Sequence, residues 1–211
     1  MEGKYYTLTD NMKLLLEKAT PPEREYVVAV MDHYIKQYKV LKQSCSPETL
    51  AYNFSKVVDD LMLEAEPPEG EQVTCKKGCS NCCYIHVDIS EEEAKLILEY
   101  CREEGIEIDW PRLKKQKRYN METYFNAPKD IRRCVFLEND LCKIYQYRPM
   151  NCRKMYSLDD PKKCDLSNGL QKIKRFVSPR AEIVACAVMT ATKFDTMASL
   201  LLKYKHHGNK S

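Results

Sequence analysis

The residues of this sequence that are best suited to chemistry are its 11 cysteines. Thiolates bind zinc and iron–sulfur clusters, and two thiolates separated by two residues can reach one metal from a single turn. Cys79 and Cys82 have this spacing, and Gly78 lets the backbone turn sharply before them. Eight cysteines form two sets of candidate metal ligands: Cys75, Cys79, Cys82 and Cys83, then Cys134, Cys142, Cys152 and Cys164. This clustering favours metal binding over a single redox pair.

The candidate ligands are too many for one zinc ion, which is almost always four-coordinate in structural sites. Eight thiolates therefore predict either two sites or one polynuclear cluster. Neighbouring side chains of an extended chain point in opposite directions, so Cys82 and Cys83 are expected to serve different metals. The ligand type does not choose between zinc and iron, because iron–sulfur clusters also take four cysteines. His86 could replace one thiolate, but we interpret this single histidine as a partly buried structural residue.

Three residues near the second set could contact the metal or a substrate. Arg148 and Arg153 flank Cys152 closely, and a guanidinium there could donate hydrogen bonds to sulfurs or bind an anionic substrate. The alternative for both arginines is a structural hydrogen bond to loop carbonyls. Tyr145 is predicted to line the site together with them if the metal is catalytic.

The elements that position these residues are predicted to be mostly α-helical, around a small irregular cysteine-rich core with a short β-hairpin. We expect a helical N-terminal region over 1–66, the metal-binding core over 73–168, and one long C-terminal helix over 178–203 packing on the same domain. Thr20, Ser46 and Ser90 carry the capping signals of helix starts. Further elements are predicted as a short helix over 10–18, a strand over 85–89, a basic helix over 111–125, and a hairpin that turns at Asn139-Asp140.

The composition is that of an ordinary globular protein, with 44% apolar and 31% charged residues. The net charge of +3 gives no indication of nucleic-acid binding, and the basic run 112–118 is interpreted as a solvated helix face. We see no signal peptide and no membrane span, so a cytoplasmic location with reduced thiols is expected. Cys101 and Cys186 are interpreted as packing residues on helix faces, and Cys45 as a linker thiol.

The two cysteine motifs resemble those of the YkgJ-type cysteine-cluster family, whose signature is CxxCxxCC. The first motif here is CKKGCSNCC, with a first gap of three residues rather than two. The second runs C-x7-C-x-I-Y-x-x-R-P-x-x-C-R from Cys134 to Arg153, and Cys164-Asp165 resembles the last cysteine of the family. The resemblance covers about residues 73–166. It implies chelation of zinc or iron, and some relatives are described as iron–sulfur oxidoreductases or resemble flagellin lysine methylases.

These observations predict a metal-binding protein that takes zinc, iron or an iron–sulfur cluster. In the first interpretation the metal organises a loop-rich module, and the protein acts through an interaction surface. In the alternative the protein is an enzyme, an oxidoreductase or a protein lysine methylase, in which the iron–sulfur cluster takes part in catalysis. Metal ions are the expected partners, and a protein partner or protein substrate fits both interpretations.

Overall fold

The first part of the fold consists of three helices. The computed structural model describes residues 6–120, 122–154, 156–165 and 173–207 of the chain. The three helices are α1 (Asp10–Lys18), α2 (Pro21–Ser44) and α3 (Pro47–Leu63). Ser46 caps α3 by accepting a hydrogen bond from the Thr49 amide, and Thr20 forms a capping box with Glu23 at the start of α2. The predicted N-terminal helices are thus confirmed, because their start signals are local and are satisfied within one turn.

The cysteine-rich part of the chain has short elements joined by turns. After β1 (Asp88–Ser90) and α4 (Glu91–Glu103), the remaining elements are α5 (Trp110–Gln116), α6 (Lys129–Arg132), β2 (Leu137–Glu138), β3 (Leu141–Cys142), α7 (Met150–Arg153) and β4 (Tyr156–Ser157). The predicted hairpin is confirmed: β2 pairs antiparallel with β3, and Asn139 and Asp140 take the positive φ angles of 48° and 59° that such a turn requires.

The C-terminal part contains β5 (Arg175–Phe176), α8 (Pro179–Ala191), β6 (Phe194–Thr196) and α9 (Met197–Lys203). The prediction of one long helix over 178–203 is therefore wrong. The chain becomes extended at Thr192, and β6 then pairs antiparallel with β1, with Asp88 opposite Thr196. Thr196 starts the next helix by accepting a hydrogen bond from the Ser199 amide.

Two further elements are shorter than predicted. The basic helix predicted over 111–125 ends at Gln116, because Asn120 and Thr123 exchange hydrogen bonds that favour a turn over a continuing helix. The strand predicted over 85–89 is limited to Asp88–Ser90, the residues that face β6.

The cysteine-rich segment lies against two hydrophobic cores. In the first core, β1, α4, α5 and α9 pack together with Val135, Phe136 and Ile144. In the second, α2, α3 and α8 pack with Met150 and Phe176, and a smaller cluster joins α1 to α2 and α8. The predicted fold class is confirmed, since helices dominate and the strands form only short antiparallel pairs. None of the helices in the described ranges has the length and apolar character needed to cross a bilayer.

Candidate metal centre

All 11 cysteines are free thiols, and the eight candidate ligands lie in or beside turns. The first set is held by a tight loop in which Gly78 has a φ of 84° and the Cys79 amide donates to the Lys76 carbonyl at 3.0 Å. A 3₁₀ turn over Asn81–Tyr84 follows, and its Asn81 side chain donates to the Pro161 carbonyl at 2.8 Å. That bond brings the segment containing Cys164 beside the first set.

Three thiols, Cys75, Cys79 and Cys164, form what we call thiol group A. Burial raises the pKa of the Cys75 thiol, and the charges of Cys79, Cys82 and Cys164 raise it further. Burial and then the charges of Cys82 and Cys164 raise the pKa of Cys79 in the same way. The charge of Cys164 thus acts on both Cys75 and Cys79, although Cys164 is the last cysteine of the second set.

Four thiols, Cys83, Cys134, Cys142 and Cys152, form what we call thiol group B. The Cys134 amide donates to the Cys83 carbonyl at 2.7 Å, which joins the first set to the second. Burial, followed by the charges of its thiol neighbours, raises the pKa of Cys134 to about 12 and that of Cys152 well above its usual value. Each group thus draws members from both sets, which the spacing alone did not predict.

Cys82 lies between the groups and is the one residue of the eight that is exposed. A hydrogen bond from the Cys83 thiol lowers the pKa of Cys82 to about 7, and the positive charge of Arg148 contributes in the same direction. The Cys83 thiol has a raised pKa, because it donates that bond and is buried. Cys82 is therefore the thiol that most readily becomes a thiolate at neutral pH.

The donor set fits zinc or iron in its chemistry, because soft thiolates select these metals. Across the described residues, which include all 11 cysteines, no three His, Cys, Asp or Glu side chains are arranged so that they could hold a metal ion. The two thiol groups are therefore defined by charge effects and backbone contacts, and the described residues show no formed coordination sphere.

Arg153 bonds to the loop and not to a sulfur. Its guanidinium is buried, donates to the Arg148 carbonyl at 2.8 Å and to the Gln146 carbonyl, and pairs with the Asp59 carboxylate on α3. Of the roles predicted for Arg153, the structure therefore favours the structural one, a hydrogen bond to loop carbonyls. Arg153 anchors the turn before Cys152 to α3.

Arg148 stacks on the exposed ring of Tyr145 and lies near the cysteines. The guanidinium carbon of Arg148 is 3.9 Å from the centre of the Tyr145 ring, which is 63% exposed. Arg148 is close enough for its charge to lower the pKa of Cys82 and to oppose the rise that burial causes in the pKa of Cys142. The two residues thus form a stacked pair near the exposed residue Cys82.

Two buried acids fix the α7 turn that carries Cys152. Glu93, in the capping box of α4, accepts a hydrogen bond from the Met150 amide at 2.7 Å. Glu182 on α8 accepts from Lys154 at 2.7 Å. Neither acid was identified from the sequence as a contact of this region. The capping motif at Ser90 marks Glu93, whereas no local pattern marks Glu182.

A pocket of about 480 Å³ opens beside thiol group A. Its lining includes Cys79, Lys76, Lys162 and the turn residue Asp140, whose carboxylate accepts a hydrogen bond from Ser80 at 2.7 Å. Sequence reasoning missed Asp140 as a neighbour of this loop, since it appears only as a hairpin residue.

The other three cysteines pack in the hydrophobic cores. Cys101 and Cys186 are buried, and Cys45 packs against the second core while its thiol donates to the Leu41 carbonyl. The interpretation of Cys101 and Cys186 as packing residues is confirmed.

Comparison with known proteins gives one match. Residues 74–172 match the model of the CxxCxxCC family, which is described as "Putative zinc- or iron-chelating domain". No curated protein and no solved structure matches this chain significantly. The matched region contains both cysteine motifs and all eight candidate ligands. Over residues 74–172, just under half of its length, this chain is therefore similar to the CxxCxxCC family.

Proposed function

We propose that this protein holds two metal ions, zinc or iron, through the eight clustered thiols. Thiol group A together with Cys82 forms one site, and thiol group B forms the other. The observation that carries the proposal is the exchange of partners between the two sequence sets: Cys164 lies with Cys75 and Cys79, and Cys83 lies with Cys134. Cys82 and Cys83 lie in one 3₁₀ turn and their thiols share a hydrogen bond, so the two proposed sites would be direct neighbours.

The main role proposed for the metals is to order the domain. The turns that carry the ligands have little regular structure, and metal–thiolate bonds would join the loop before β1 to the segments around α7 and Pro161. Structural zinc supplies about 10–16 kcal/mol in zinc-finger peptides, which is ample for segments of this size. Because the pKa values of Cys75, Cys134 and Cys152 are raised, the metal must displace protons there, and its affinity is expected to increase with pH.

A second candidate function, an enzyme that uses an iron–sulfur cluster, is favoured by one observation. Cys82 is an exposed residue near the charge of Arg148, which stacks on the exposed Tyr145 ring, and a substrate with an anionic group could bind there. An oxidoreductase or a protein lysine methylase would place its substrate here. An accessible ligand differs from a closed structural site, in which protein donors fill every coordination position.

Metal analysis of paired variants tests the grouping. The double variant Cys79→Ser/Cys164→Ser removes two ligands of one proposed site and should lose one metal per chain. Cys79→Ser/Cys134→Ser removes one ligand from each site and should lose both metals. Cys101→Ser is the control and should keep the wild-type metal content. Equal losses in the two double variants would refute the grouping, and a wild-type protein without bound metal would refute the proposed function.

Anaerobic purification separates the two candidate functions. A colourless protein with about two zinc ions per chain supports the structural role, whereas brown protein that contains iron and acid-labile sulfide supports the iron–sulfur enzyme. We propose a cytoplasmic location for either form, since all 11 cysteines are free and thiols remain reduced there. A protein partner or substrate is proposed for the surface around Cys82 and Arg148, and nucleic acid is not.

A further inference from the structure

His86 is a buried histidine whose two ring nitrogens both lack a hydrogen-bond partner among the described residues. Its side chain is only 8% exposed. A neutral imidazole has one donor and one acceptor nitrogen, and burying either of them without a partner destabilises the folded protein. A histidine that served only for packing would be disfavoured here, so the unpaired nitrogens require an explanation such as a bound ion.

The direction of the His86 side chain follows from the extended chain between the 3₁₀ turn and β1. Val87 packs against the first hydrophobic core, and its carbonyl accepts a hydrogen bond from the Met197 amide. His86 and Asp88 therefore point to the opposite side of the chain. There Nδ1 of His86 lies 3.5 Å from Oδ1 of Asp88, and the His86 ring is edge-on to Tyr124 at 5.3 Å between centres.

The surroundings of His86 are connected to thiol group B. Burial raises the pKa of Tyr124, and the charge of Cys134 raises it further, so Cys134 lies close to the ring that contacts His86. Cys83 is three residues before His86, and its carbonyl accepts the Cys134 amide. Asn151, next to Cys152, donates to the Asp88 carbonyl at 2.8 Å.

We propose that His86 is a nitrogen donor to the metal of thiol group B, with Asp88 holding the Nδ1 proton so that Nε2 binds the ion. Carboxylate–histidine pairs commonly orient metal-binding imidazoles in this way. The inference rests on the proposed function. It gives this site five donors, one more than a four-coordinate ion needs.

Cys142 is the thiol that His86 can replace. The hydrogen bonds and ring contacts around His86 lead to Cys83, Cys134 and Cys152, whereas the charges of Arg148 and Arg153 act on Cys142. With His86 present, the ion keeps three thiolates and one imidazole after Cys142 is lost. Either donor thus completes the coordination sphere when the other is absent.

The test compares the metal content of purified variants. Cys142→Ser should keep the wild-type content, and Cys142→Ser/His86→Gln should lose one metal per chain. The matched control Cys142→Ser/His33→Gln, which alters an exposed histidine on α2, should keep it. X-ray absorption of zinc-loaded Cys142→Ser should show a nitrogen ligand at about 2.0–2.1 Å beside sulfur ligands at about 2.3 Å.

The X-ray absorption measurement does not depend on the folding of a His86 variant. If Cys142→Ser loses a metal as completely as Cys134→Ser does, or keeps it with sulfur ligands alone, the inference about His86 is overturned while the two thiol sites stand. If the wild-type protein binds no metal through thiolates, the proposed function fails as well.

Discussion

Lys154 and Glu182 form a buried ion pair that joins the cysteine-rich segment to α8. The Glu182 side chain is completely buried, and its carboxylate accepts hydrogen bonds from Lys154 at 2.7 Å, from Thr9 at 2.8 Å and from Asn11 at 3.0 Å. Substituting Lys154 by Met keeps a long unbranched side chain but removes its charge. Glu182 then remains as a buried carboxylate without a cation, and we expect a large loss of stability.

The magnitude of this loss follows from the burial of both partners. Removing one partner of a buried pair costs about 3–5 kcal/mol, against a total stability of about 5–15 kcal/mol for a typical domain. At about 2–4 °C per kcal/mol for a chain of this size, the midpoint of thermal unfolding should fall by about 6–20 °C. The control is Lys56→Met, which breaks the exposed pair with Asp60 on α3 and should change stability by at most about 1 kcal/mol.

The assay is urea unfolding followed by circular dichroism, with the metal content of every variant measured beforehand. The double variant Lys154→Met/Glu182→Leu removes both charges and should be more stable than Lys154→Met, because no unpaired carboxylate remains. The reasoning is refuted if Lys154→Met unfolds within 1 kcal/mol of the control variant. It is also refuted if the double variant is no more stable than the single one.

Three further predictions concern a thiol, a turn and a helix cap. In metal-stripped protein the alkylation rate of Cys82 should rise with pH through about 7 as its thiolate forms. Cys101, whose pKa is raised by burial to about 12, is the control and should stay unlabelled in peptide mapping. Added zinc should protect Cys82, and labelling that zinc does not change would argue against its role as a ligand. Asn139→Val should cost about 1–2 kcal/mol in urea unfolding because a β-branched residue resists the left-handed conformation, whereas Asn139→Gly should cost less. Ser90→Ala removes the acceptor for the Glu93 amide and should cost about 1 kcal/mol, and Ser90→Thr should restore most of it.

The parts of the fold that the sequence predicts well are those decided within a few residues. Ser46 and Ser90 start helices at the expected positions, because each side chain satisfies an amide three residues later. Asn139 and Asp140 form the expected hairpin turn, because both residue types tolerate positive φ. In each case the free-energy gain depends on neighbours along the chain.

The break in the C-terminal helix depends on a distant partner. The apolar pattern continues from α8 into α9, and only the pairing of β6 with β1, about a hundred residues earlier, makes the intervening residues extended. One local signal was overlooked, since Thr196 lies three residues before Ser199 and caps α9. Hydrophobic periodicity alone is a poor guide where both sides of a short interruption are buried.

The candidate metal centre shows the same difference between features decided by neighbouring residues and features decided by distant contacts. Spacing identifies the eight clustered cysteines, but the partners of each thiol depend on the path by which the chain returns beside Asn81 at Pro161. The role of Arg153 likewise depends on Asp59, which lies on a helix far earlier in the chain. Sequence spacing carries no information about such contacts.

The exchange of thiols between the two sets has a consequence for biosynthesis. Cys79 and its neighbour Cys164 are 85 residues apart, so neither thiol group is complete until most of the domain has been translated. At about 5–20 residues per second, Cys79 is added to the chain about 4–17 s before Cys164. Until the second set has been added, the first four cysteines lack their proposed partners, and we expect them to be more open to oxidation or to capture by the wrong metal than in the folded domain.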